Sequence, residues 1–107
     1  MRGQIWAFDT GAEDALPLAV VQADVLNRVA PTVVGVVVTS RPQQAGEPLV
    51  LALDHQSCGL RSPAWLKVTQ LHTVAATDAR RQLGSLPPAV IDRLDTALRA
   101  VLSLGEP

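Results

Sequence analysis

Thr32-Val33-Val34-Gly35-Val36-Val37-Val38-Thr39 is the stretch whose reading decides the fold. Its valines are β-branched and favour extended backbone. The run is too continuous for a strand with one face in water, so it predicts a strand buried on both faces or packed in a barrel wall.

Working outward toward the start of the chain, Gln4 to Phe8 and Leu18 to Gln22 read as two further strands. Asp9-Thr10-Gly11 is a turn signal after the first, because Asp and Gly favour turns. Gly11 to Pro17 is a loop holding Glu13 and Asp14, and Asp24 to Pro31 is a connection. Beyond the central run, Ser40 to Pro48 reads as a surface loop and Leu49 to Leu53 as a fourth strand. Asp54 to Pro63 is a second loop, and Ala64 to Val68 with Gln70 to Val74 supply one or two short strands. Thr77 to Gln82 is expected as a short helix, with Thr77 as N-cap and Gly84 ending it. Pro87-Pro88 open a longer helix, where the first amides need no partner. Its Val90, Ile91, Leu94, Leu98, Val101 and Leu102 recur at helical spacing and form one apolar face. The fold class predicted is mainly β with a C-terminal α-helix, a small barrel or curled sheet.

At 107 residues the chain reads as one domain, 1–107, because smaller pieces would not bury a stable core. Val29 to Ser40, the only long stretch without charge, falls short of the roughly 20 residues that span a bilayer. The opening Met1-Arg2-Gly3-Gln4 runs into a strand with no apolar signal region. The expectation is a soluble, cytoplasmic protein. A single cysteine, Cys58, excludes an internal disulfide framework and a Cys-rich zinc site. The net charge of −1 argues against a general nucleic-acid coat, though not against an enzyme with a local basic groove. Arg80-Arg81 is the only local basic run and reads as a solvated helix face.

Arg2-Gly3-Gln4-Ile5-Trp6-Ala7-Phe8-Asp9 is similar to R-G-E-I-W-x-x-D, the opening of the PemK/MazF family of toxin–antitoxin ribonucleases, and two further stretches extend the resemblance. Val20-Val21-Gln22-Ala23-Asp24-Val25-Leu26-Asn27-Arg28 resembles V-V-x-N-D-x-x-N, and a hydrophobic strand ending in Thr39-Ser40-Arg41 follows. Gly59-Leu60 through Lys67, Gln70, Thr73-Val74, Leu83-Gly84-Ser85-Leu86 and Leu94-Asp95-Thr96-Ala97-Leu98 lie on the family pattern without a gap from Gly59 to Leu104. The resemblance implies an SH3-like β-barrel of the MazF/CcdB type with a C-terminal helix, used as a symmetric dimer. It implies metal-independent cleavage of single-stranded RNA, with no cofactor, in which a ribose 2′-OH attacks its own phosphate. It also implies a cognate antitoxin whose acidic tail lies in the RNA groove.

The same resemblance nominates residues. Thr39 falls at the family's strand-end Thr, and Ser40 and Arg41 follow as hydroxyl and guanidinium donors to the phosphate; a guanidinium fork suits phosphate geometry. The family's Arg before the Pro of its second strand is here Leu16, and the loss of a fixed donor at a developing phosphorane costs roughly 3 kcal/mol or more. Glu13 corresponds to a loop Glu. Lys67 and Gln70 keep the basic residue and the Gln of the K/R-x-D-Q segment, while Thr69 replaces its acid and His72 the following Arg. An imidazole can exchange a proton near neutral pH, which a threonine hydroxyl does not, so Thr39, Arg41 and His72 are the catalytic candidates. Glu13, Ser40, Lys67, Thr69 and Gln70 are the RNA-binding ones. Trp65 and Trp6 read as core, and Arg28 and Arg61 fall in predicted loops. Two alternatives compete with an active ribonuclease: a MazF-fold protein that binds antitoxin or RNA without cutting, favoured by Leu16 and Thr69, and a gyrase-poisoning toxin.

Overall fold

The computed structural model describes residues 1–44 and 49–103. The last part of the Ser40–Pro48 loop and Leu104, where the gap-free resemblance ends, lie outside the described residues. The strands are β1 (Gln4–Phe8), β2 (Leu16–Val20), β3 (Thr32–Thr39), β4 (Val50–Leu53), β5 (Ala64–Ala75) and β6 (Ala79–Ser85). They form one antiparallel sheet in the order β4-β5-β3-β2-β1-β6. Helix α1 (Asp24–Asn27) lies in the β2–β3 connection, α2 (His55–Cys58) follows β4, and α3 (Pro88–Leu102) ends the described chain.

β3 is buried on both faces, as its valines predict. On one face Val36 joins Ile5, Ala19 and Leu66, all inaccessible to solvent, and the α3 residue Leu94 packs on them. On the other, Val33 joins Phe8, Leu18, Val20 and Val74 in a second core. A sheet can bury both faces without a second layer only if it curls. The chain imposes that curl: β5 and β6 occupy opposite halves of the sheet order, yet a single three-residue turn, Ala76–Asp78, joins them. Gly35 permits close packing at the centre, since a Cβ there would stand 2.8 Å from the Leu18 Cβ.

The sheet stays open, which corrects the expectation of a closed barrel. β4 and β6 are its two edges. α3 packs on the face that holds Ile5, Val36 and Leu66, and edge strand β6 presents Arg80, Arg81 and Gln82, polar side chains that discourage further pairing. α3 is fixed from below. Gly3, at φ +85°, leaves room for Ile91, whose Cδ1 would come within 2.8 Å of a Cβ there. The Arg2 guanidinium donates to the Val21 carbonyl (3.1 Å) and to Asp95 of α3.

Other boundaries also moved. The helix expected over Thr77–Gln82 is instead the turn Ala76–Asp78 followed by β6, because pairing with β1 outweighs the local preference of Ala, Arg and Gln for helix. β2 begins at Leu16 and accommodates Pro17 opposite Ala7. Of the one or two short strands expected over Ala64–Val74, the structure has one, longer and bent, from Ala64 to Ala75. Between the pairs Val36↔Leu71 and Val37↔Lys67, residues Val68, Thr69 and Gln70 have no partner on β3, which makes a wide bulge. Along α3 the apolar stripe meets the core through Val90, Ile91, Leu94, Leu98 and Val101, while Leu102 is exposed.

Candidate functional site

The end of β3 divides the residues nominated there between two faces, because successive strand side chains alternate. Thr39 lies opposite Trp65 and Val37 opposite Lys67, so Thr39, Trp65 and Lys67 share one face, each half-buried. The Thr39 Oγ1 accepts a hydrogen bond from the Arg41 backbone N–H at 3.1 Å, which turns the chain and leaves the hydroxyl proton to donate elsewhere. Ser40 points the other way, into a groove of about 340 Å³, and the Arg41 side chain is exposed.

The other nominees do not converge on Thr39. Thr69 and Gln70 sit exposed on the β5 bulge next to Lys67, a place where an irregular strand redirects side chains. His72 is opposite Gly35, four β3 residues from Thr39, and so about 13 Å away along the strand. A phosphate held at Thr39 is beyond its hydrogen-bonding reach within one chain. Glu13 is exposed in the β1–β2 connection. Leu16, at the position expected to carry an Arg, packs against the core that holds Phe8 and Leu18.

Two cations went unassigned in the sequence. Arg81 lies opposite Ala7, which is itself opposite Pro17, so it shares a face with Pro17 and lines the groove with Ser40. Its neighbour Arg80 takes the other side of the strand and pairs with Asp9 at 3.1 Å. Arg61, in the segment after α2, lines the same groove. Alternation would have separated Arg80 from Arg81, had the segment been read as a strand.

Electrostatic perturbations lie elsewhere. The Gly11 amide and the Arg80 guanidinium hold the Asp9 carboxyl below its usual range. The amide of Arg2 and the Asn27 side chain do so more strongly for Asp24. Burial pushes the Cys58 thiol up, which keeps it protonated and poorly nucleophilic. Among the described residues no group of three or more His, Cys, Asp or Glu side chains is placed to hold a metal ion. No described helix is long and apolar enough to cross a membrane.

A sequence model of the PemK-like, MazF-like toxins of type II toxin–antitoxin systems matches residues 1–102. The chain belongs to this family. Endoribonuclease EndoA of Bacillus subtilis (strain 168) is 26% identical to this MazF-like chain over 109 residues, covering 96% of it and 94% of EndoA. Among solved structures, an endoribonuclease from a mycobacterial species superposes with a TM-score of 0.83 at 26% identity, covering all of this chain and 94% of that one. A mycobacterial endoribonuclease in complex with its cognate antitoxin gives 0.84 at 25% identity, covering 100% and 98%. The MazF-like strand end at Thr39 therefore sits in a fold shared along nearly its whole length.

Proposed function

We propose that this MazF-like toxin is an endoribonuclease that cleaves single-stranded RNA without a metal ion. The ribose 2′-oxygen would form a bond to the adjacent phosphorus as it loses its proton. The bond to the 5′-oxygen would break, and that oxygen would take up a proton. The products are a cyclic phosphate and a free 5′-OH. The observation that carries the reading is the strand end in a chain of this family: a Thr39 hydroxyl held by the Arg41 amide with its proton uncommitted, and an exposed Arg41 side chain two residues on. Such donors act where charge develops on the phosphorane. Lys67, on the Thr39 face, adds a cation, and Thr69 and Gln70, exposed on the bulge, are assigned to contacts with the neighbouring nucleotides. His72, set apart by the register, is assigned to an RNA contact rather than to the Thr39 phosphate. Glu13 is assigned to the same strand's path.

The working unit proposed is a symmetric homodimer, acting in the cytoplasm and opposed by a cognate antitoxin. The groove of about 510 Å³ between β4 and α3, where Leu49, Leu51, Ala97 and Ala100 are flanked by Asp92, Arg93 and Thr96, offers a mixed surface for the second copy. The test of activity is cleavage of a mixed single-stranded RNA in EDTA by purified protein, beside a Thr39→Ala, Arg41→Ala double variant. Discrete products with cyclic-phosphate ends, reduced on the order of a hundredfold or more in the variant, support the reading. No cleavage by folded dimer moves the assignment to a binding-only MazF-like protein, the reading that Leu16, half-buried in place of an Arg, and the Thr69 hydroxyl favour.

A further inference from the structure

The groove beside the strand end depends on a close approach between two backbones. Asp54 caps α2 through the Gln56 amide, and Gly59, at φ +76°, ends the helix after one turn. The following segment then lies directly on β6. A Cβ at Gly84 would stand 2.3 Å from the Cys58 carbonyl oxygen and 3.0 Å from the Leu60 side chain, so only glycine admits this approach. The result is that Arg61 from the segment and Arg81 from β6 line one groove, with Ser40 and Ser62, over Pro17 and Val38.

Among the described residues Arg2 pairs with Asp95 and Arg80 with Asp9, whereas Arg61 and Arg81 have no ion pair. A space of about 340 Å³ is roughly 9 Å across if taken as a sphere, comparable with the screening length of about 8 Å at physiological ionic strength. Two unpaired cations on such a groove, in a chain of net charge −1, mark a local demand for an anion.

We infer that this groove is a second phosphate subsite for single-stranded RNA, in which Arg61 and Arg81 hold a phosphodiester neighbouring the one at Thr39. The inference rests on the ribonuclease reading above. Thr39 and Ser40 are consecutive residues with opposed side chains, so the strand end donates to one phosphate from each face. Guanidinium forks and hydroxyls together match the oxygens of a phosphodiester, and the volume suits a single nucleotide. Arg61 and Arg81 are positioning residues, tightening the hold on the strand without touching the reacting atoms.

The experiment compares wild type with an Arg61→Gln, Arg81→Gln double variant whose fold is checked by circular dichroism. The probe is a fluorescent single-stranded RNA with 2′-O-methyl riboses, which cannot be cleaved, titrated by anisotropy across a range of salt. The double variant is expected to bind about tenfold more weakly, with the slope of log affinity against log salt shallower by about 0.7 for each phosphate no longer neutralised. On cleavable RNA, KM should rise while kcat changes little, and Arg61→Lys should keep most of the salt slope. Unchanged affinity and slope in a folded double variant overturn the subsite while leaving the ribonuclease reading intact. The same result with weakened binding of a polyglutamate peptide assigns the groove to an acidic protein segment instead, which also overturns it. Wild-type protein that binds no RNA removes the ribonuclease reading and this subsite together.

Discussion

Thr39 shows how little of a residue's chemistry is left free by its place in the fold. Its oxygen already accepts from the Arg41 amide, which orients the hydroxyl and leaves its proton to donate to a ligand. Thr39→Ser keeps both hydrogen bonds and should retain cleavage within a few fold, while Thr39→Val, similar in shape, should lose on the order of a hundredfold in kcat. Single-turnover rates on one RNA decide between them, and equal losses in the two variants would remove the hydroxyl from the mechanism. Gly84 is the residue on which the groove depends sterically. Gly84→Ala sets a methyl against the Cys58 carbonyl, and neither the backbone of α2 nor that of β6 yields cheaply. A loss of about 1–3 kcal/mol is expected from urea denaturation, the range seen for overpacking. A neutral result would show that the segment can lift away from β6.

At the scale of elements, β5 and α3 organise the molecule. The β5 bulge lets one strand pair with β3 along its length, and with β4 only over Ala64–Lys67. It also displays Thr69 and Gln70, which a regular ladder would have aimed by strict alternation. α3 is joined to the sheet mainly by apolar contact: Leu94 is its one buried residue, surrounded by half-buried Val90, Ile91 and Leu98. Leu94→Ala should cost about 2–5 kcal/mol. Asp95→Asn, which breaks a partly exposed ion pair with Arg2, should cost about 1 kcal/mol or less. Thermal melts of the two variants test the ranking, and the reverse order would make the Arg2 latch the principal attachment. β6 was hidden from the sequence for a physical reason. Ala79-Arg80-Arg81-Gln82 has no apolar alternation, because an edge strand with both faces partly in water needs none; its extended form comes from the unpaired amides of β1.

For the whole molecule, acid should loosen the fold in a definite window. Asp9 and Asp24 have folded pKa values held below those of the unfolded chain, which lie near 3.9. The unfolded state therefore binds more protons in that range, and stability rises with pH there. Their contribution is complete above about pH 5, and is lost as pH falls through 4 toward the folded values. Urea midpoints should drop between pH 5 and 3, and Asp24→Ala, which removes the acceptor for the Arg2 amide, should make that drop shallower. An equal slope in the variant would place the acid sensitivity elsewhere. The assembly makes its own prediction: a dimeric mass by sedimentation, shifted toward monomer by Ala97→Glu in the β4–α3 groove. A wild-type monomer at micromolar concentration would remove the homodimer from the proposal.

The valine run of β3, the apolar stripe of α3 and the motifs from Arg2 to Leu98 were legible in the sequence by themselves, as a β-rich fold with a terminal helix and a family likeness. Burial on both faces and helical periodicity are written in single residues, and local pattern suffices to read them. Thr39, Ser40 and Arg41 were candidates by the family likeness, not by any local pattern of their own. Only the tertiary structure decided that the sheet stays open, that Thr39 and Ser40 face opposite sides, and that His72 stands about 13 Å along the strand from Thr39. Only it brought Arg61 and Arg81, 20 residues apart in sequence, to one groove. These outcomes follow from register, bulge and the close approach at Gly84, which are set by pairing between distant segments and leave no periodic trace along the chain.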